Sequence, residues 1–417
     1  MKIKILTISL IFAASTCFAQ NKTIIFETGS FTEIKAKAKK ENKLIFIDAF
    51  TTWCGPCKWL AKNVFTNDTV AEYFNTKFIN ASIDMEKGEG IEIAKQYEVR
   101  CYPNLLFVDG DGNIVHRSAG TLNVKKFIQF AEDAQNPEKR FSKYKNEYES
   151  KKNDAKFLYE YLHIVSTTCL PYKDIVIDYF KTQKDEELTS RANWNVIRDF
   201  SSDYKSREFK YLINNVETFN KTYTSDSVNT KIKNVLISSG YNIFNKKDVK
   251  VEDYETYKNE ISKLKFSKLD EVLFQLDMGY YQKKEDWKKC FDLAVEKGDK
   301  YFKNMNEFNN ISWSIYEHSD DVKTLQKAAS WMQKTLEIKE NQIWYMYDTY
   351  ASVLFKLKNK TEAKTAATKA IELAKATGTS EDEYKVTIEL LEKIEKLVSS
   401  QNTRVKSSSD YTDENNL

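Results

Sequence analysis

The chain has 417 residues, of which 41% are apolar and 30% are charged, a composition typical of soluble globular domains. Its length exceeds that of one ordinary domain, and we expect two or three. The formal net charge is only +3, with acidic and basic residues interspersed. This balance excludes the basic surface that a nucleic acid or an acidic membrane would require.

The N-terminus has the pattern of a secretory signal peptide. Two lysines precede an apolar run over residues 5–14, and small residues end the segment. We predict a signal peptide over residues 1–19, and therefore an exported protein that is periplasmic or secreted. The run is shorter than the ~20 residues that span a bilayer, so no membrane span is expected after cleavage. Lipoprotein anchoring through Cys17 is the alternative, although its neighbours suit that signal poorly.

Glycine and proline divide the chain into two parts. Seven of the eleven glycines and two of the four prolines lie in the first 120 residues. Because a long stretch with so few breakers favours helix, the remainder is predicted to be all-α. We place the boundary near residues 133–140, which gives an N-terminal domain over residues 20–136.

Strand and helix patterns alternate in the N-terminal domain. The predicted strands are 23–26, 43–50, 78–83, 104–109 and 113–118. The predicted helices are 31–41, 57–65, a segment around 90–97, and 124–134. The strand KLIFIDAF is almost entirely apolar, which is typical of a strand covered on both faces. The order βαβαβαββα predicts an α/β fold, a mixed sheet flanked by helices.

The string FTTWCGPCKW, residues 50–59, places two cysteines at CxxC spacing between a strand and a helix. Zinc needs four ligands, and the three histidines are not paired at ligand spacing. A structural disulfide across two residues would restrict the unfolded chain very little. Redox use fits best, because the N–H groups and dipole of a helix N-terminus stabilise a thiolate. We therefore predict Cys54 as the exposed attacking thiolate and Cys57, one turn inward, as the resolving thiol.

Three landmarks resemble the thioredoxin family. WCGPCK (53–58) is the family's active-site string, and Asp48 stands where the family has a buried carboxylate. YEVRCYPNLLFVDGDG (97–112) looks like the second landmark, with Pro103 as the cis-proline. The resemblance covers residues 21–135.

Within the family, VFTNDTVAEYF (64–74) is similar to the reductant-delivering domain of bacterial membrane disulfide reductases. The resemblance implies protein disulfides as substrates, an upstream thiol donor as a partner, and no cofactor besides the dithiol itself. The implied catalytic residues are Cys54, Cys57, Asp48 and Pro103, and the implied substrate-binding residues are Trp53, Gly55, Pro56 and Tyr102.

Three of these roles have a plainer alternative. Asp48, if buried and unpaired, would have a raised pKa and could take the Cys57 proton; otherwise it is a polar residue where a strand leaves the sheet. Pro103, if cis, would leave the Tyr102 backbone free to pair with an extended substrate; otherwise it is an ordinary trans proline. Trp53 could instead only shield the site from water.

The other cysteines carry no motif. Cys101 is predicted to be a half-buried spectator thiol, with a rim thiol open to secondary oxidation as the alternative. Cys169 and Cys290 lie in predicted helices, where we expect core residues. Five cysteines remain after signal cleavage, so at least one is free or pairs between molecules.

The helical remainder has a repeat near its end. Residues 137–270 are predicted to be amphipathic helices, and residues 271–397 two to three tetratricopeptide-like hairpins. In the latter, Ala351, Ala363 and Ala370 take the small-residue positions. The alternative is an irregular helical bundle. Stacked hairpins would offer a concave surface to a protein partner. A polar tail over residues 398–417 is predicted to be disordered.

Together these patterns predict an exported thiol–disulfide oxidoreductase that reduces or isomerises protein disulfides through Cys54 and Cys57. The alternative is a partner-binding or assembly protein of the cell envelope. In that reading the helical repeats carry the main function and the thioredoxin-like domain is accessory.

Overall fold

The computed structural model describes residues 22–248 and 250–409, with side chains through residue 397. The predicted signal peptide lies outside these residues. The chain divides into two compact units, the first ending at Ser201 and the second beginning at Ser202. None of the described helices combines the length and the apolar character that crossing a bilayer requires.

The first unit is built on a four-stranded mixed sheet in the order β2-β1-β3-β4. The strands are β1 (Leu44–Phe50), β2 (Phe78–Asp84), β3 (Asn104–Val108) and β4 (Ile114–Ala119). β1 is parallel to β2, and β3 is antiparallel to both β1 and β4. The helices that accompany the sheet are α1 (Phe31–Glu41), α2 (Gly55–Asn63), α3 (Asp68–Lys77), α4 (Gly90–Gln96) and α5 (Val124–Gln135). The predicted α/β fold is confirmed.

Side chains of the central strands alternate between two cores, one on each face of the sheet. Phe46 and Phe107 pack with side chains of α2, α3 and α5, whereas Ile47 and Leu106 pack with side chains of α1 and α4. The sheet is therefore covered on both sides, as the apolar run in β1 predicted. Asp48, two residues after Phe46, shares the α2 face because alternate residues of a strand point the same way.

The predicted strand over residues 23–26 does not form. Ile24 N–H donates to the Phe65 carbonyl at 2.9 Å, but the amide side chain of Asn75 accepts the next N–H, that of Ile25, at 2.9 Å. A neighbouring asparagine, Asn80, donates from its side chain to the Ile25 carbonyl. Side-chain amides thus take the backbone hydrogen bonds that a partner strand would have taken, and the segment stays extended without joining the sheet.

Four further helices belong to the first unit: α6 (Phe141–Glu147), α7 (Ala155–Ser166), α8 (Lys173–Lys181) and α9 (Arg191–Phe200). Of these, α6 and the chain after α7 contact the sheet at its β4 edge. His116 Nδ1 accepts a hydrogen bond from Phe141 N–H at 3.0 Å, and Ala119 N–H donates to the Thr167 carbonyl at 2.6 Å. Burial lowers the pKa of His116 to about 4, so the ring is neutral and can accept this bond.

A disulfide between Cys101 and Cys169 makes a covalent link at the same place. The prediction of a free Cys101 and a core Cys169 is therefore wrong. Cys169 is exposed, and it lies in the connection after α7 at a left-handed backbone position rather than in a helix. The expectation for Cys290 holds: it is a buried free cysteine in a helix of the second unit.

The described part of the second unit is all-helical, as predicted for the C-terminal region. Its helices are α10 (Arg207–Asn214), α11 (Val216–Thr222), α12 (Ser225–Phe244), α13 (Val251–Ile261), α14 (Leu269–Lys283), α15 (Trp287–Tyr301), α16 (Met305–His318), α17 (Val322–Leu336), α18 (Trp344–Lys356), α19 (Lys360–Ala376) and α20 (Glu381–Ser409). Both units also contain short 3-10 turns between some of their helices.

Consecutive helices of the second unit pack in pairs, α14 with α15, α16 with α17, and α18 with α19. The predicted small positions, Ala351, Ala363 and Ala370, are fully buried between them. The tetratricopeptide-like assignment itself stays a prediction. α20 continues past residue 398, where we expected the tail to begin, as far as Ser409; residues 410–417 lie outside the described part.

Candidate functional site: a dithiol at a helix N-terminus

Cys54 and Cys57 form a disulfide at the start of α2. Cys54 is the N-cap residue, and its sulfur accepts a hydrogen bond from the Cys57 N–H at 3.1 Å. Pro56 stands in the first turn, where the missing N–H costs no helix hydrogen bond. A Cβ added at Gly55 would meet no atom within 4 Å, so the backbone there is open. The local sequence thus directs one free N–H group of the helix end, that of Cys57, toward the Cys54 sulfur.

The two cysteines are less accessible than the sequence predicted. In this oxidised form Cys54 is 3% exposed and Cys57 is 6% exposed. The expectation of an exposed Cys54 beside an inner Cys57 is therefore not met in this disulfide-bonded form, in which both side chains are buried.

Asp48 lies in β1, beside Ser82 of β2 in the parallel register. Its Oδ2 accepts a hydrogen bond from the Ser82 hydroxyl at 3.0 Å, while Oδ1 has no hydrogen-bond partner among the described residues. Burial raises the pKa of Asp48 to about 6, and the bond from Ser82 opposes this only in part. The carboxyl can therefore hold or release a proton near neutral pH.

An aromatic surface lies next to the dithiol. Trp53 is 66% exposed and meets the Tyr102 ring edge to face, with 6.0 Å between the ring centroids. The Trp53 Nε1–H donates to Glu86 Oε2 at 2.9 Å, which holds the exposed indole in place. Burial, with Glu86 and Asp84 nearby, raises the pKa of Tyr102, so its hydroxyl remains protonated. The surface combines apolar rings with two carboxylates.

Tyr102 leads into the turn before β3. The Tyr102–Pro103 peptide bond is cis, Pro103 is buried, and its carbonyl accepts a hydrogen bond from Gly120 N–H at 2.9 Å. The structure thus brings Trp53 and Tyr102 together, with Pro103 next in the chain. It places Asp48 separately, in the sheet beneath α2.

Buried Arg117 of β4 holds the segment that precedes this turn. Its guanidinium donates to the Tyr97 carbonyl at 2.8 Å and to the Asn104 side chain at 3.3 Å. Burial lowers the pKa of Arg117 to about 10, so the group stays charged at neutral pH. Sequence reasoning did not identify Arg117, because a lone arginine in a strand pattern carries no motif.

Three other residues of the site were also missed. Ser82 donates to Asp48, and Glu86 accepts from Trp53, but these partners are remote in sequence, so only the folded structure reveals them. The only sequence observation that bears on Cys169 is the odd number of cysteines. It shows that at least one cysteine is free or pairs between molecules, but it does not show which cysteines pair.

Within the described residues, no group of three or more histidine, cysteine or acidic side chains is arranged to hold a metal ion. The redox groups of the domain are its own cysteines.

Comparison with known proteins supports this assignment. A family model described as a thioredoxin-like domain matches residues 31–135. Mitochondrial thioredoxin-3 of Saccharomyces cerevisiae is 32% identical over 103 residues, which are 25% of this chain and 75% of that protein. The thiol:disulfide interchange protein DsbD of Yersinia pestis is 28% identical over 95 residues, 22% of this chain but only 16% of the length of DsbD.

Among solved structures, a candidate disulphide-isomerase from Bacteroides thetaiotaomicron is 46% identical, with a TM-score of 0.26, over 28% of this chain and 96% of that one. The matched region carries a thioredoxin-like domain of the disulfide oxidoreductase type, with Cys54 and Cys57 as its redox pair. Through this N-terminal domain, the chain belongs to the thioredoxin family.

Proposed function

We propose that the protein is an exported thiol–disulfide oxidoreductase that reduces or isomerises disulfides of other proteins. The observation that carries the proposal is the position of Cys54, whose sulfur caps α2 and accepts the Cys57 N–H. A sulfur at a helix N-terminus is stabilised as a thiolate, the nucleophilic form of cysteine.

The exchange begins with the reduced pair. The Cys54 thiolate attacks one sulfur of a substrate disulfide, forms a mixed disulfide and releases the other substrate sulfur as a thiolate. Cys57 then loses its proton and attacks Cys54, which frees the second substrate thiol and leaves the Cys54–Cys57 disulfide. Two electrons pass to the substrate, and an upstream dithiol must return them for another cycle.

We assign Asp48 as the group that accepts the proton of the Cys57 thiol. Its pKa, raised to about 6 by burial, lets it accept a proton when a thiolate is needed and return it near neutral pH. Asp48→Asn should therefore slow the release of the mixed disulfide more than its formation. Equal rates of release in both proteins between pH 6 and 8 would leave Asp48 with a structural role only.

The surface around the dithiol supports a protein substrate. Trp53, Tyr102 and Trp59, which is 47% exposed, offer apolar area that a folded protein or peptide would cover. In this proposal, the backbone of Tyr102 pairs with an extended segment of the substrate, and Gly55 and Pro56 leave room for it to approach.

The reducing direction is preferred, because the Gly55-Pro56 pair resembles reducing members of the family; isomerisation uses the same first attack. Export rests on the sequence pattern of residues 1–19. The partners in this proposal are protein disulfides and a thiol donor, with a further protein partner on the helical second unit.

The test is reduction of insulin by the full chain with dithiothreitol as the electron source. We expect the wild-type protein to accelerate the reduction and Cys54→Ser to fall to the uncatalysed rate. The matched control is Cys290→Ser, which removes the buried free cysteine and should retain most of the activity. If Cys54→Ser were as active as the wild type, the proposal would be wrong.

A further inference from the structure

A cavity of about 520 Å³ opens in the second unit where α16, α18 and α20 come together. Two tryptophans, Trp313 from α16 and Trp344 from α18, lie on its wall, and Asp348 and Glu383 supply carboxylates. Asn309 adds a side-chain amide. The exchange reaction assigns no role to this cavity, which lies in a different unit from the dithiol.

The carboxylates of the cavity lack cationic partners. Among the residues that the structure describes, no lysine or arginine lies within ion-pair distance of Asp348 or Glu383. Asp348 is half-buried and accepts one hydrogen bond, from the Thr387 hydroxyl at 2.7 Å. Burial raises the pKa of Asp348, so its negative charge is less well stabilised here than in water. A cation brought by a ligand would supply the missing stabilisation.

The tryptophans and the asparagine of the cavity suit the parts of a peptide that surround its cationic group. A positive group is attracted to the face of an indole ring. Trp313 and Trp344 are both half-buried, so part of each ring is accessible to a ligand. Within the described part of the chain, the buried Asn309 Oδ1 has no hydrogen-bond donor. A main-chain N–H group of an extended peptide would satisfy it.

From this arrangement we infer that the cavity binds a basic side chain, lysine or arginine, of an extended partner peptide, with the cation beside Asp348 and Glu383 and its alkyl stem against Trp313 and Trp344. The site is independent of disulfide exchange. It would bring a basic segment of a client or assembly partner to the second unit.

A neutral sugar is the competing ligand, since aromatic rings and amides also bind carbohydrate. The two carboxylates without cations favour the basic side chain. Neutral hydroxyl groups would form hydrogen bonds with these oxygens but would not compensate the charge at Asp348.

The experiment follows the indole N–H signals of Trp313 and Trp344 in the full chain labelled with ¹⁵N at tryptophan, assigned with Trp313→Phe and Trp344→Phe. The probe is the acetylated, amidated peptide Gly-Ser-Arg-Ser-Gly. The matched probe carries citrulline, which has the same shape as arginine without the charge. We expect saturable shifts with the arginine peptide and at least about tenfold weaker binding with citrulline.

Asp348→Asn should weaken binding of the arginine peptide about tenfold. Asp292→Asn makes the same charge change on the exposed face of α15, where Asp292 pairs with Lys288, and should leave affinity unchanged. Glu383→Gln, at an exposed position, should weaken binding about threefold, and it decides the question if Asp348→Asn fails to fold. The inference is overturned if citrulline binds as well as arginine, if Asp292→Asn weakens binding as much as the cavity variants, or if maltose alone produces the same shifts.

Discussion

Asp48 shows how the environment of one residue sets its chemistry. It interrupts an apolar strand, and the sequence left two interpretations, a functional buried carboxyl or a polar residue where the strand leaves the sheet. In the structure it sits well inside β1, pairs with Ser82 across the sheet and keeps one oxygen without a partner. Burial, rather than a neighbouring charge, accounts for its raised pKa.

The raised pKa predicts a pH-dependent effect of Asp48→Asn on stability. The folded protein holds the Asp48 proton up to about pH 6, whereas in the unfolded chain the residue releases it near its ordinary value of 3.8. Ionised Asp48 therefore lowers the free energy of unfolding by about 3 kcal/mol above pH 6, and this cost disappears as the pH falls below about 4. Asn does not titrate, so Asp48→Asn should gain about 3 kcal/mol relative to wild type between pH 4 and pH 8.

The measurement is urea unfolding of both proteins, in the oxidised form, at the two pH values. Other titrating groups, His116 among them, contribute equally to both proteins and cancel in the comparison. Asp111→Asn, at an exposed residue paired with Lys39, is the control and should show no such difference. A pH-independent difference between Asp48→Asn and wild type would show that the carboxyl titrates at the same pH in both states.

At the level of elements, the β4 edge carries helices that the family resemblance did not include. The Ala119–Thr167 backbone bond and the His116–Phe141 bond connect β4 to the chain after α7 and to α6. The Cys101–Cys169 disulfide connects the turn before β3 to the chain after α7. The segment therefore belongs to the same compact unit as the thioredoxin-like domain.

We predict that this disulfide stabilises the first unit more than the active-site disulfide does. It links cysteines 68 positions apart, against a separation of three for Cys54 and Cys57. In the chain-entropy description, the longer loop contributes about 4 kcal/mol and the short one about 2 kcal/mol. Replacing Cys101 and Cys169 together by serine should therefore lower the urea midpoint of the first unit more than replacing Cys54 and Cys57 together. The opposite order would contradict this.

The helices and strands of the domain were predictable where neighbouring residues alone determine them. β1, β2 and α1 follow from apolar periodicity, and the start of α2 follows from Cys54 and Pro56. The segment at residues 23–26 has the composition of a strand. Whether it joins the sheet depends on hydrogen bonds with Asn75 and Asn80, which lie far along the chain. The pairing of Cys101 with Cys169 was beyond sequence reasoning for the same reason, because tertiary packing of α7 brings the two together.

For the whole molecule, the disulfides fix the number of free thiols. Cys290 is buried, and burial raises the pKa of its thiol to about 12, so it should not react with Ellman's reagent in the folded protein. In a chain that begins at residue 20, denaturation without reductant should expose one thiol. Labelling of Cys101 and Cys169 themselves under these conditions would mean that they are not bonded to each other.

The central claim is that Cys54 attacks a substrate disulfide and Cys57 resolves the product. Cys57→Ser keeps the attacking thiol and removes the resolving one, so the mixed disulfide should persist. The most direct measurement mixes reduced full-length Cys57→Ser with insulin and analyses the products by non-reducing electrophoresis and mass spectrometry. We expect an adduct of insulin on Cys54 that dithiothreitol dissolves, and none with Cys54→Ser under the same conditions. An equal yield from Cys54→Ser, or no adduct from Cys57→Ser, would contradict the account.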